Sequence, residues 1–169
     1  MSNVVLIGFM GTGKSTIGRL VAEKLNRTFL DSDKMIEKET GTTINNIFSS
    51  YGESYFREIE SKVIHRISQQ DNCVIATGGG VVLSPDNMKH LRENGIIICL
   101  KAKPEIIYER TKNAGSRPLL NVENPASAIE KKLNERKDLY IGDLVLDTSC
   151  IDAGEAADRI VSFVCEGNN

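Results

Sequence analysis

The run Val4-Val5-Leu6-Ile7 leads directly into Gly8-Phe9-Met10-Gly11-Thr12-Gly13-Lys14-Ser15-Thr16, and a helical pattern follows at once. A buried strand, a glycine turn and a helix start in immediate succession constrain this chain more than any other feature. In that context G-x-x-x-x-G-K-[ST] describes a phosphate cradle. Gly8, Gly11 and Gly13 open backbone angles closed to other residues, so successive N–H groups can converge on one anion. The following helix adds unpaired amides and the positive end of its dipole. Lys14 brings a point charge for the outer phosphates, and Ser15 brings a hydroxyl able to ligate Mg²⁺. A glycine-rich turn that merely joins strand to helix would need neither the lysine nor the serine.

The rest of the chain alternates short apolar strands with amphipathic helices, which predicts one α/β domain over 1–169 with a parallel sheet. Ile17, Leu20, Val21 and Leu25 share one helix face after the loop, and Thr28-Phe29-Leu30 is a strand ending in Asp31-Ser32-Asp33. In a parallel sheet the carboxyl ends of strands line the ligand crevice. Both carboxylates therefore belong beside the phosphate loop, one toward a metal and one toward a substrate hydroxyl. The plain alternative is that Asp31 or Asp33 caps a helix beginning near Lys34; both roles can coexist, and position favours function.

Helices are expected from about 44 to 50 and from about 53 to 69. In the second, Phe56, Ile59, Val63, Ile64 and Ile67 form an apolar stripe, with Glu60 inside it and Arg57 at its edge. Such a pair either satisfies itself at i, i+3 or borders a polar ligand. His65 falls on the far side, at the surface. Cys73-Val74-Ile75-Ala76 is a buried strand ending in Thr77-Gly78-Gly79-Gly80, where a ligand can lie against backbone amides. Ser84-Pro85 caps and opens a helix that stops at Asn94-Gly95, and Ile96 to Leu100 is an interior parallel strand.

Pro104 opens the next helix, which carries Tyr108 and Arg110. The pattern then stops from Thr111 to Pro125, a loop containing Arg117-Pro118-Leu119-Leu120. An arginine among apolar residues there suits a lid that closes over phosphates. Ile129, Leu133 and Tyr140 make the stripe of a further helix, with Arg136 in its middle, so that arginine requires an anion, either an internal carboxylate or a substrate carboxylate. Val145-Leu146 is the last strand, and a helix over about 154–164 ends the fold.

The net charge of -2 supports neither a nucleic-acid surface nor an anionic-membrane patch, which leaves an anionic substrate to local arginines. Cys73, Cys99, Cys150 and Cys165 lack metal-ligand or disulfide spacing. No apolar run reaches membrane-spanning length, and a cleaved leader would remove the loop, so a cytoplasmic protein is expected.

The ordered set of motifs resembles the shikimate kinases of the P-loop nucleoside monophosphate kinase-like fold. It comprises G-F-M-G-T-G-K-S-T at 8–16, D-S-D at 31–33, G-x-x-Y-F-R-x-x-E from Gly52 to Glu60, T-G-G-G at 77–80, R-P-L-L at 117–120 and E-R-x-x-x-Y from Glu135 to Tyr140. The resemblance implies a five-stranded parallel sheet in the order 2-3-1-4-5 flanked by helices. It implies a substrate-binding segment at about 32–60 and a lid at about 111–125. It also implies transfer of the ATP γ-phosphate to the 3-hydroxyl of shikimate, a step of aromatic amino acid biosynthesis. A monomer is expected.

Residue by residue, the resemblance places nucleotide phosphates on Gly11, Thr12, Gly13, Lys14, Ser15 and Thr16, and Mg²⁺ on Ser15 and, through water, Asp31. Asp33 would bind the substrate hydroxyls and accept or guide the proton. Lys14 and Arg117 would neutralise the transferring phosphoryl group. Arg57 and Arg136 would grip the shikimate carboxylate beside Gly78, Gly79 and Gly80, with Glu60 holding Arg57 and with Phe48 and Phe56 as apolar walls. Many relatives carry a basic residue and a proline around the adenine; Thr148 to Gly154 here has neither. Arg110 remains to stack on the base, and the expectation is that ATP serves with a relaxed base preference. Another small-molecule P-loop kinase, acting on gluconate or a nucleotide, and a nucleotide-binding module without catalysis are the rival readings.

Overall fold

The structure, a computed structural model, describes residues 2–112 and 124–167. Its strands are β1 (Asn3–Gly8), β2 (Thr28–Asp31), β3 (Cys73–Ala76), β4 (Gly95–Lys101) and β5 (Leu144–Asp147), all parallel, in the order β2-β3-β1-β4-β5. The expected order holds. Burial of both sheet faces under helices explains why β1, β3 and β4 are almost wholly apolar.

The pleat divides these strands between two cores. Val5, Ile7, Ile75, Ile97 and Cys99 point to one face, where they meet α2 (Ser32–Thr40), α3 (Ile44–Ser68) and α4 (Pro85–Glu93). Val4, Leu6, Val74, Ile98 and Leu100 point to the other, against α1 (Lys14–Leu25) and α7 (Ala153–Glu166). Alternate residues of one strand thus bind two helical layers. The thiols of Cys73 and Cys99 are buried and free, with burial pushing both above the usual thiol range.

Local signals behave as chemistry requires. Ser84 Oγ accepts from Asn87 N and Pro85 opens α4; Asp152 caps α7 in the same way. Gly52, at φ 84°, breaks α3 into the two helices expected from the sequence, since a residue with a side chain rarely adopts that angle. A short 3₁₀ turn at Val81–Leu83, unforeseen, follows the triple glycine.

One expectation is corrected. α6 (Pro125–Arg136) ends at Arg136, so Tyr140 is not on its stripe but beyond its end, in the stretch leading to β5. Arg136 is therefore the half-buried last residue of the helix rather than a charge in mid-stripe. α5 (Pro104–Thr111) closes as the expected lid begins; most of that lid, Arg117 included, lies outside the described residues.

Candidate active site

The carboxyl end of β1 delivers the glycine loop to the top of the sheet. Gly11 and Gly13 have φ of 75° and 99°, and Gly13 sits at the cap position of α1 without any side-chain bond to the first-turn amides. Among the described residues the amides of Ser15 and Thr16 take no backbone acceptor, because the first ladder bond runs from Ile17 N to Gly13 O at 2.8 Å, and both are placed to serve an anion. Thr12 is buried and its hydroxyl donates to Phe9 O at 2.8 Å, tying the loop to its own base. Lys14 folds back over the loop, its Nζ donating to Gly8 O at 2.7 Å and Phe9 O at 2.8 Å.

β2 brings the first carboxylate to the same place. Ser15 Oγ donates to Asp31 Oδ2 at 2.7 Å, while Asp31 Oδ1 accepts from Lys34 N at 3.2 Å and caps α2. Capping and proximity to the phosphate loop, which the sequence allowed to coexist, are both properties of Asp31. A hydroxyl and a carboxylate oxygen side by side suit a hard divalent cation. No group of three or more His, Cys, Asp or Glu gathers as a metal cage among the described residues, so water and phosphate oxygens would supply most of the shell.

The second half of the site is built around the triple glycine. Ser32 Oγ accepts from Gly78 N at 3.0 Å and fixes the start of α2 against that loop. A Cβ on Gly78 would fall 2.6 Å from Asp33 Oδ1 and 2.9 Å from Glu60 Oε1. Only glycine lets both acids approach so closely. A Cβ on Gly80 would fall 2.6 Å from Arg57 Nη1. Gly79 lies against the phosphate loop, its would-be Cβ 3.1 Å from Met10 N. The glycine run thus sits between the phosphate loop on one side and Asp33, Glu60 and Arg57 on the other.

Arg57 and Glu60 pair at 2.6 Å, and Glu60 is 1% exposed. Its other oxygen, Oε1, finds no hydrogen-bond partner among the described residues. Burial pushes the Glu60 carboxyl above the ordinary range, with Arg57 pulling it back. Burial works against the Arg57 charge too, but Glu60 and then Glu53 outweigh it and raise the guanidinium further. Phe48 and Phe56 stack at 4.7 Å and the Arg57 guanidinium lies 5.1 Å from the Phe56 ring, forming an apolar wall beside a cation. Arg136 reaches the same region from α6, its guanidinium 5.9 Å from the ring of Phe9.

Arg110 crosses from α5 to the far side of the loop. It donates to Gly11 O at 3.2 Å, Thr148 Oγ1 at 3.0 Å and Thr148 O at 2.6 Å. These bonds use the edge of the guanidinium and leave its faces for stacking.

Three residues of this site carried no functional reading in the sequence. Glu53 holds Arg57 from the opposite side to Glu60, and the i, i+4 spacing was the signal for it. Thr148 is buried and donates to Thr12 O at 3.0 Å, a contact no local pattern announces. Tyr140 donates to Gly79 O at 2.7 Å, and its own carbonyl accepts from the Cys99 thiol. Burial holds its phenol at about 12, so it remains a donor at every working pH. The Tyr140→Phe variant leaves the Gly79 carbonyl without this partner, at a cost of about 1–3 kcal/mol. Urea melts should show the lower midpoint; coincident curves for the two proteins would mean the bond contributes nothing.

The shikimate kinase family model matches residues 10–165. A shikimate kinase of Thermodesulfovibrio yellowstonii is 50% identical over 162 residues, covering 95% of this chain and 94% of the relative. That of Thermoanaerobacter pseudethanolicus is 45% identical, with 95% of each covered. Among solved structures, shikimate kinase from Acinetobacter baumannii in complex with shikimate superposes with a TM-score of 0.95 at 37% identity, over 99% of this chain and 94% of that one. With a phosphate loop and an acid-and-arginine cluster meeting across one glycine run, and likeness extending over nearly its whole length, the chain belongs to the shikimate kinase family.

Proposed function

We propose that this chain transfers the γ-phosphate of ATP to the 3-hydroxyl of shikimate, giving shikimate 3-phosphate and ADP. The observation that carries the reading is the closeness of two anion sites of different kinds. The first-turn amides of α1 and the Lys14 ammonium lie on one side of Gly79, and Arg57 with its buried glutamate lies on the other. A phosphoryl donor and a carboxylated alcohol held there would have their reacting groups next to each other.

In this mechanism the amides of Gly11 to Thr16 hold the nucleotide phosphates and Arg110 stacks on the base. Arg57 and Arg136 bind the substrate carboxylate by forked, charge-assisted bonds beside Gly78, Gly79 and Gly80, and Phe48 and Phe56 cover the ring's apolar surface. Asp33 orients the hydroxyl and takes its proton as oxygen bonds to phosphorus and the bond to ADP breaks. Lys14 and Arg117 spread the charge on the transferring group. Ser15 and, through water, Asp31 would hold Mg²⁺, which neutralises phosphate charge when bound. The chain works as one domain and as a monomer, with 32–60 receiving substrate and 111–125 closing over the phosphates. The cytoplasm, where ATP is at hand, is the proposed compartment. No helix among the described residues is long and apolar enough to cross a membrane.

A coupled assay for ADP release with and without shikimate tests the reading, and phosphorus NMR of the product locates the phosphate. Release should require shikimate. Bonds between charged groups are worth roughly 1.5–3 kcal/mol, so Arg136→Ala should weaken shikimate by about one to two orders of magnitude and spare ATP. Shikimate-independent release, or an Arg136→Ala enzyme with undiminished shikimate affinity, would refute the assignment.

A further inference from the structure

Arg57 offers five N–H donors in a rigid planar fork. Two carboxylates of its own helix hold it. Glu53, in the first turn after the Gly52 break, accepts at Oε1 from Nε at 3.3 Å and from Nη2 at 3.0 Å. Glu60 accepts at Oε2 from Nη1 at 2.6 Å. Among the described residues these three bonds leave one N–H on each terminal nitrogen for a further acceptor. Gly80, lacking a side chain, leaves room against both of these nitrogens.

We infer that Glu53 is a positioning residue for acid recognition, fixing the Arg57 guanidinium together with Glu60 so that one donor on each terminal nitrogen faces the substrate carboxylate. The inference rests on the shikimate reading above. Glu53 does not have to touch the substrate: its side chain is 60% exposed, against 25% for Arg57. An exposed pair at this spacing adds little to folding. What it changes is the freedom of a long side chain. Held by Glu60 alone, Arg57 keeps rotational freedom that binding must then remove, a loss of about two- to tenfold in affinity.

Shikimate titrated calorimetrically into wild type, Glu53→Ala and Glu53→Gln, with steady-state kinetics alongside, tests this. Glu53→Ala should raise Kd and KM for shikimate by about two- to tenfold, with kcat and the KM for ATP much less affected. Glu53→Gln, which keeps an amide oxygen as acceptor, should recover part of the loss. In an Arg57→Ala background the Glu53 change should have no further effect. Unchanged affinity with a lower Tm would assign Glu53 to helix stability alone and overturn the inference. Tighter binding would overturn it from the other side, making Glu53 a competitor of the substrate acid. If wild type takes up no shikimate, the functional reading falls and this inference with it; if wild type binds and Glu53→Ala binds equally well, only the inference falls.

Discussion

Lys14→Met abolishes phosphoryl transfer, with kcat lower by on the order of a thousandfold, while shikimate still binds. Methionine matches the lysine stem closely in length and removes only the charge. In the wild type that charge is already placed: Nζ rests on Gly8 O and Phe9 O at 2.7 and 2.8 Å, at the mouth of the amide nest. A cation fixed before the reaction costs little reorganisation when charge develops on the phosphoryl oxygens, and removing one such group typically costs about two to three decades in rate. Folding should suffer less, because Phe9 O keeps its bond from the Thr12 hydroxyl at 2.8 Å. Single-turnover rates at saturating ATP, with calorimetry of shikimate and a thermal melt as controls, separate these effects. A kcat within tenfold of wild type would show that Lys14 is not the group that neutralises the transferring phosphoryl.

The Asp33→Asn enzyme keeps both substrates and loses turnover by about 10²–10⁴-fold, the range for removing a positioned proton acceptor. The amide preserves the shape of the side chain, which matters here because Asp33 Oδ1 would lie only 2.6 Å from a Cβ on Gly78. A larger replacement would displace the glycine run and confuse lost chemistry with lost structure. Asparagine cannot take a proton from the attacking hydroxyl, so the loss belongs in kcat, with the KM for ATP unchanged. If kcat stays near wild type while the KM for shikimate rises strongly, Asp33 serves binding only, and the proton leaves by another route.

Much of this was legible in the chain because the signals are local. The strand-loop-helix unit at 4–25, the break at Gly52, the Ser84-Pro85 helix start and the i, i+3 pairing of Arg57 with Glu60 each depend on neighbours within a turn or two. There backbone angles and side-chain reach follow directly from residue type. Asp31 was half legible: the sequence allowed it both to cap a helix and to stand by the phosphate loop, and the fold shows one oxygen accepting from Lys34 N and the other from Ser15 Oγ. Arg136 was misread in its setting, because helical spacing continues through residue 140 while the helix does not. Periodicity measures which residues could share a face, and tertiary contacts decide where the backbone leaves it.

The sequence by itself determined that a phosphate nest follows the first strand, that carboxylates stand at the end of the second, and that Arg57 and Arg136 sit on apolar faces where each needs an anion, internal or bound. Only the tertiary structure decided which of these groups meet. Tyr140 reaches Gly79 across 61 residues and Thr148 reaches Thr12 across 136, and no spacing rule spans such distances. Their contacts are set by the strand order, which brings β1, β3 and β4 side by side and stacks the ends of distant segments over one edge of the sheet. Local chemistry acts over a few ångströms along the chain. The pairing of partners far apart in sequence depends on how two apolar cores close around one sheet.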